Sequence, residues 1–260
     1  MISERLVRLR GTYNLRDTGG RAAGTGRTRW GKLYRSDALH RLDDDDRREL
    51  AARRIGLVVD LRHESERTGF PSALRGLGAE VVHVPVLGAA PETFLAAGAG
   101  LDEFYDHIVH ERGHALVAAV RVLARSGSTP VIVHCTSGKD RTGLVVALAL
   151  ALVGVGRSTI VDDYAATQHH LPPALLDQVV AHWRQAHGRP VAKLETLVRL
   201  SPPAALERVF DRIEARHGSA EEYAREHGLT GEDLMLLADV LVGRPPAAGP
   251  RCVSRRRTQR

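Results

Sequence analysis

VIVHCTSGKDRTG, residues Val131–Gly143, joins two segments of different character. Pro130 opens VIVH, a short β-branched run that reads as a buried strand. From Thr142 onward, GLVVALALALVGV is long, apolar and alanine-rich, as a buried central helix should be. The loop between them, CTSGKDR, therefore leaves a strand's C-terminal end and enters a helix N-terminus. Such a loop presents several backbone N–H groups to one point, which also carries the positive end of the helix dipole, so the stretch predicts an anion site that suits phosphate. Gly138 supplies the sharp turn.

The side chains add chemistry. Cys135 stands at the mouth of this cradle, where the donors that bind an anion also stabilise a thiolate. Arg141 closes the loop with a planar fork that can hold two phosphoryl oxygens. Thr142 is placed to hydrogen-bond the sulfur, and His134 to orient the loop, while Thr136, Ser137, Gly138 and Lys139 line it. A nucleophile inside an anion cradle predicts attack of sulfur on phosphorus through a cysteinyl-phosphate. A Walker A loop does not fit, because Asp140 follows Lys139 where Ser or Thr is needed and Val133 stands where the first Gly should be. A sulfurtransferase also uses a loop cysteine, and a phosphate-recognising binding module would share the cradle. Neither calls for His-Cys, Gly138 and Arg141-Thr142 together with a nucleophile.

The flanking sequence sets the frame. GLVVDL (Gly56–Leu61) and EVVHVPV (Glu80–Val86) read as further strands. Asp43–Asp46 precede RRELAARRIG and read as a helix start, with Gly56 as the stop. Apolar residues at Leu101, Phe104, Tyr105, Ile108, Leu116, Val120 and Leu123 show helical spacing, with Gly113 as a break. Strands alternating with helices predict an α/β fold with a largely parallel central sheet flanked by helices. After Ser158 the sequence predicts helices at Ser158–His169, Pro173–His187, Val191–Leu197, Pro203–His217, Ala220–Glu226 and Gly231–Leu241. The last is opened by the capping pair Thr230 and Asp233. Residues 158–230 read as a helical lid or insertion on a single domain spanning 1–242. The doublet His169-His170 reads as surface.

The 260 residues carry a formal net charge of +6, equal to the six arginines of the acid-free tail, residues 243–260. A neutral body with a basic, Pro/Gly-rich and disordered tail makes no case for a nucleic-acid groove. With cysteines only at 135 and 252, a structural disulfide is not expected, and neither a Cys pair nor HExxH suggests zinc or another cofactor. Leu144–Val155 is too short for a membrane span, so no stable membrane insertion is expected. MISERLVRLR lacks the apolar core of a signal peptide, so the expected location is cytoplasmic, with signal-less export left open.

HCTSGKDRTG resembles the HCx5R signature of the cysteine-dependent phosphatase superfamily, and its GKDR variant resembles the PtpB-type group of atypical bacterial tyrosine and lipid phosphatases. The resemblance extends to Tyr13–Gly20 (YNLRDTGG), Leu33–Leu39 (LYRSDAL), Val59–Arg62 (VDLR) and Ile160–Tyr164 (IVDDY). It implies dephosphorylation of phosphotyrosine, with phosphoserine, phosphothreonine and phosphoinositides as a wider range. Lys139, one of three lysines, reads either as extra charge for a phosphoinositide headgroup or as a surface residue. Many relatives place a general acid on a separate mobile loop, and no equivalent is visible here. Asp140, beside Arg141, is the first candidate and Asp60, at the end of its strand, the second, with a salt bridge from Asp60 to Arg62 or Arg16 as the alternative use of that carboxylate.

Overall fold

In the computed structural model, which describes residues 5–187 and 194–242, strands and helices alternate up to residue 152 and the chain is helical beyond it. The short strands β1 (Arg16–Asp17), β2 (Ala22–Ala23), β3 (Gly26–Arg27) and β4 (Leu33–Ser36) lead to α1 (Asp44–Ala52) and β5 (Leu57–Asp60). Next come α2 (Glu64–Gly69), β6 (Glu80–His83), α3 (Pro91–Ala96), α4 (Leu101–Asp106), a π-helical turn (His107–Glu111) and α5 (Gly113–Ala124). β7 (Val131–His134) and α6 (Asp140–Leu152) flank the cysteine loop. Then follow α7 (Arg157–Ala165), α8 (Thr167–His170), α9 (Pro173–His187), α10 (Leu194–Arg199), α11 (Pro203–His217), α12 (Ala220–Glu226) and α13 (Gly231–Leu241).

The five-stranded sheet has the order β1-β4-β7-β5-β6; β4, β7, β5 and β6 run parallel and β1 antiparallel to β4. The class is thus α/β with a largely parallel sheet. The register puts Ser36, His134, Asp60 and His83 in one row at the C-terminal ends of the four parallel strands. Ligands in open α/β sheets bind beyond such ends. Alternate strand residues divide between the faces: Tyr34, Val58 and Ile132 pack with Leu39 and Leu50, whereas Leu33, Val59, Val131 and Val133 pack towards α5 and α6. Every residue of α6 from Arg141 to Leu150 is buried. Each large apolar side chain there contributes roughly 1.5–3 kcal/mol by leaving water, which holds the helix that carries the loop.

Local chemistry sets most boundaries. Asp43 caps α1 and forms a capping box with Asp46, whose carboxylate also accepts from the backbone of Arg10 and Gly11. The acidic run is therefore a helix start. Its stop comes before Gly56, because Arg54 turns into the left-handed region at φ 58°. Gly113 does mark the break before α5. A Cβ there would lie 2.7 Å from Tyr223 Oη, so glycine is required by the close approach of α12. The segment expected at Ser158–His169 divides between α7 and α8, and residues 191–193 of another expected helix, like the tail from 243 onward, lie outside the described residues.

Behind the sheet's antiparallel edge sits a buried charge cluster. Asp163 of α7 takes Arg35 Nη1 at 2.6 Å, Arg21 Nη2 at 2.5 Å and Arg16 Nε at 3.4 Å. Arg16 Nη2 also donates to the Asp163 carbonyl and to Thr167 Oγ1. Burial lowers the Arg16 guanidinium to about 9, with Arg35 adding to the effect, so it is still charged at neutral pH. Burial of Asp163 is outweighed by the three arginines, which hold its carboxyl well below the usual range. His170 is not a surface residue. Its Nδ1 lies 3.1 Å from Asn14 Oδ1 and 3.4 Å from Arg16 Nη1, whereas His169 is exposed.

Burial first, and the Arg16 and Arg35 charges second, lower His170 from 6.5 to about 4. The unfolded chain therefore binds this proton more readily, and the contribution of His170 to stability, complete above pH 6.5, is lost as pH falls towards 4. Urea unfolding followed across that window should show stability declining with acid, and His170→Gln should flatten the decline. Equal slopes in the two proteins would remove His170 from the effect.

Candidate active site

The loop from Cys135 to Lys139 is shaped by what holds its carbonyls. His134 Nδ1 lies 3.1 Å from the Cys135 carbonyl, which can only accept, so Nδ1 carries the proton. The Ala38 N–H donates to the Thr136 carbonyl at 3.0 Å. Asn14 Nδ2 donates to the carbonyls of Ser137 and Gly138 at 3.1 and 3.2 Å, and Arg35 Nη2 to that of Gly138 at 2.8 Å. Gly143 N–H takes the Lys139 carbonyl at 2.8 Å. All five carbonyls are engaged, while the N–H groups of residues 136–139 have no acceptor among the described residues. Gly138 adopts φ 66°, and a Cβ there would come within 2.6 Å of the Asp37 backbone nitrogen. A glycine is thus required both by conformation and by the packing of the loop on the end of β4.

The flanking motifs find their structural use here. Asn14 and Arg35 hold the loop directly. Asp37 accepts from the N–H groups of Tyr13 and Asn14, tying the first motif to the end of β4. Asp17 accepts from the N–H groups of Gly19 and Gly31 at 2.7 Å, which fixes the turn that follows it.

A cavity of about 770 Å³ opens over the loop. Thr136, Ser137, Asp140 and Arg141 contribute its polar floor, and Phe70, Phe104, Leu171, Leu175, Val179 and Leu197 are among its apolar walls. Cys135 is buried beneath. Arg141 donates from Nη1 to Glu66 Oε2 at 2.5 Å and from Nη2 to Glu66 Oε1 at 2.9 Å. Thr136 Oγ1 also donates to Glu66 Oε1. Although burial pulls the other way, the Cys135 sulfur and Glu66 raise the Arg141 guanidinium further, so it is permanently charged. A guanidinium has five N–H donors. The Glu66 clamp uses one on each Nη, and Nε–H is among those left for an oxyanion.

Glu66 was not among the residues expected from sequence. It lies in the first turn of α2, where its carboxylate also accepts from the His63 N–H. The available signal was that a nearly buried Arg141 needs a carboxylate partner and that an acidic helix start follows the strand GLVVDL.

The other expected residues divide. Thr142 Oγ1 is buried and has no hydrogen-bond partner among the described residues. Asp140 lies in the first turn of α6 with its side chain 15% exposed, at the cavity floor, and accepts from Tyr105 Oη at 2.8 Å. Asp60 is different. Its two oxygens take Arg62 Nε at 2.9 Å and Nη2 at 2.7 Å, and the Arg62 N–H adds a third donor. Burial raises this carboxyl, but Arg62 and His134 prevail and bring it down to about 2. A carboxylate so clamped is ionised at neutral pH and has no proton to give, so its position does not suit the general acid. Lys139 departs from both readings of it. The side chain is 1% exposed, and Nζ donates to the carbonyls of Leu197, near the end of α10, and Leu200, the latter at 2.9 Å. It neither faces the cavity nor lies on the surface, because carbonyls left open at the end of α10 need a donor.

A cysteine at the end of a central parallel strand, under N–H groups with no acceptor among the described residues and beside a fixed arginine at a helix start, is the arrangement the sequence leads one to expect of a cysteine-dependent phosphatase. The tyrosine phosphatase family model matches residues 7–243, and the chain belongs to that family. The chain is 30% identical over 278 aligned positions to the triple specificity protein phosphatase PtpB of Mycobacterium tuberculosis, covering 90% of this chain and 98% of that protein. It is 28% identical over 215 positions to a tyrosine-protein phosphatase of Nostoc commune, covering 79% and 72% respectively. The crystal structure of TpbA from P. aeruginosa aligns with 65% of this chain and 86% of its own at 20% identity, with a TM-score of 0.35. Among the described residues, no group of three His, Cys, Asp or Glu is arranged to hold a metal ion, and no helix is long and apolar enough to cross a membrane.

The clamp on Arg141 predicts a phenotype for Glu66→Gln. Charge-assisted hydrogen bonds contribute roughly 1.5–3 kcal/mol, so kcat/KM for an aryl phosphate should fall about 10–100-fold while the unfolding midpoint changes little. Steady-state kinetics beside thermal unfolding would check this. Undiminished turnover would show that Arg141 needs no partner to hold its orientation.

Proposed function

We propose that this chain hydrolyses phosphotyrosine by way of a cysteinyl-phosphate on Cys135. The observation that carries the reading is the loop in which every carbonyl of residues 135–139 is engaged from outside while the N–H groups of 136–139 have no acceptor among the described residues. Those donors, with the N-terminus of α6, fit a bound phosphoryl group. The Cys135 sulfur attacks phosphorus, and the S–P bond forms as the bond to the phenolic oxygen breaks. Arg141 holds equatorial oxygens with the donors that Glu66 leaves. Asp140 gives its proton to the departing oxygen. A water then attacks the phosphocysteine, the resulting Asp140 carboxylate takes the water's proton, and the S–P bond breaks. Thr142, whose hydroxyl has no other partner among the described residues, donates to the sulfur as it leaves. Asp60, fixed by Arg62, positions the strand ends instead.

The breadth of substrate depends on the rest of the cavity. Leu175 and Val179 of α9 and Leu197 of α10 form its apolar wall, and we assign these helices the role of a lid, tied to the loop by Lys139. Arg62 and Arg141 are committed to carboxylates. Arg41, a third cavity cation, stacks 4.8 Å from the Tyr13 ring centroid and lies 3.6 Å from Asp37. A second phosphate of a phosphoinositide headgroup would meet Arg41, not Lys139.

Two experiments test these roles. Cys135→Ser should abolish release of phosphate from a phosphotyrosine peptide while retaining binding of that peptide; continued hydrolysis would end the nucleophile assignment. With p-nitrophenyl phosphate and a doubly phosphorylated inositol lipid compared, Arg41→Ala should lower kcat/KM on the lipid about 10-fold more, the effect of roughly one charge-assisted contact. An equal effect on both substrates, or no turnover of the lipid by the parent protein, would remove the phosphoinositide reading.

A further inference from the structure

Two buried tyrosines stand behind the loop with a role that helical spacing did not suggest. Tyr105, at the end of α4, is fully buried and reads in the sequence as one more core residue of an amphipathic helix. Its hydroxyl donates to Asp140 Oδ1 at 2.8 Å and lies 2.6 Å from the hydroxyl of Tyr164, on α7. A phenol has one proton. Tyr105 gives its own to Asp140, so Tyr164 must be the donor in the bond between the tyrosines. The chain of bonds thus has one direction, from Tyr164 to Tyr105 to Asp140. Its members are rigidly set. The rings pack edge to face with centroids 6.3 Å apart, and the Tyr164 ring lies so close to Gly143, in the first turn of α6, that a Cβ there would be 3.0 Å from Tyr164 Cδ2. Burial, and then the neighbouring Asp140 charge, raise the Tyr105 phenol well above its usual 10, which keeps it a donor at any working pH.

We infer that Tyr105, oriented by Tyr164, is a positioning residue that occupies Asp140 Oδ1 as an acceptor and so leaves Oδ2 to carry the proton transferred to the leaving group. The inference rests on the proposed role of Asp140 as general acid. In the first step the Oδ2–H bond breaks, its proton passes to the departing oxygen, and Asp140 is left as a carboxylate. The Tyr105 hydrogen bond is then made to a charged acceptor and is stronger than before transfer. It therefore stabilises the state that proton donation creates, and Oδ2 is the oxygen that takes the water's proton in the second step. Lys139 Nζ, 3.6 Å from the same Oδ1, adds positive charge on the same side of the carboxylate and does not compete for Oδ2.

The test is the dependence of rate on the leaving group, which a packing role would not alter. Aryl phosphates ranging from a nitrophenol to an unsubstituted phenol would be turned over by the parent protein and by the Tyr105→Phe, Tyr164→Phe and Asp140→Asn variants. Tyr105→Phe keeps the ring and should lower kcat about 10–100-fold on the poor leaving group and less than 3-fold on the good one, with KM unchanged. Tyr164→Phe should act in the same sense and more weakly. Asp140→Asn should show the steepest dependence of all. If Asp140→Asn is steep and Tyr105→Phe retains the parent's dependence, the positioning role is wrong and the acid assignment stands. If Asp140→Asn leaves the dependence unchanged, the acid assignment fails and takes the inference with it. An equal loss on all substrates in Tyr105→Phe, with a lowered unfolding midpoint, would reduce Tyr105 to packing and overturn the proposal.

Discussion

Arg35 holds the cysteine loop from behind, and much of the molecule is arranged around that contact. One terminal nitrogen of its guanidinium lies on the Asp163 carboxylate and the other donates to the Gly138 carbonyl. A loop that offers its N–H groups to an anion must turn its carbonyls the other way, into protein. Each of those left without a donor would cost about 1–3 kcal/mol. Arg35, Asn14, Ala38 and His134 together remove that cost, so the loop keeps this shape without an anion to hold it. The motifs around residues 14–17, 35–37 and 163 are in this sense one device, although nearly 150 residues separate their ends.

The same device sets the field in the site. Three arginines share the single carboxylate of Asp163, and Arg16 is still charged at neutral pH even after burial lowers it to about 9. A surplus of positive charge is therefore buried behind the loop, where water screens it poorly. It acts with the N-terminal end of α6 on whatever lies in front. One of the cations that line the cavity is treated differently. Arg141 is matched by Glu66 in a two-point clamp, which fixes its plane and still leaves N–H donors. Excess charge stays where it needs no motion, and matched charge stands where direction matters.

How much of this was legible follows from the range of each signal. The strand VIVH, the turn at Gly138 and the helix after it are local facts, and they fixed the position of Cys135 and Arg141 at one sheet end. The caps of α1 and α13 and the ends of α9, α11 and α12 were readable for the same reason. What stayed hidden is where long side chains point. Lys139 reads as a charge for substrate until the open carbonyls of Leu197 and Leu200 are seen beside it. Asp60 reads either as an acid or as a salt-bridge partner of Arg62 or Arg16, and only the fold shows Arg62 taking both its oxygens. Tyr105 reads as an apolar residue because period alone cannot tell a phenol from a phenyl ring. The resemblance marked Asn14, Arg16 and Arg35 as belonging together, and the fold supplies the reason, which is the carbonyl side of a loop more than 100 residues away.

The front of the site is built on another principle and in part from the later helices of the chain. Behind the loop lie charges and hydrogen bonds, in which the loss of one partner strands the others. In front lie Leu175 and Val179 of α9 and Leu197 of α10, apolar side chains with no obligatory partner. The Lys139 ammonium on two backbone carbonyls links the halves at the loop, a contact indifferent to which side chains the helix carries. Cores accept changes of apolar side chain at modest cost when volume is kept, so the wall can change shape while the cradle does not. On the proposed function, the cradle would hold the phosphoryl group by geometry common to any monoester. The wall would then meet the remainder of the substrate. On that reading the part of the wall contributed by α9 and α10 can vary separately from the cradle, joined to it by the buried Lys139.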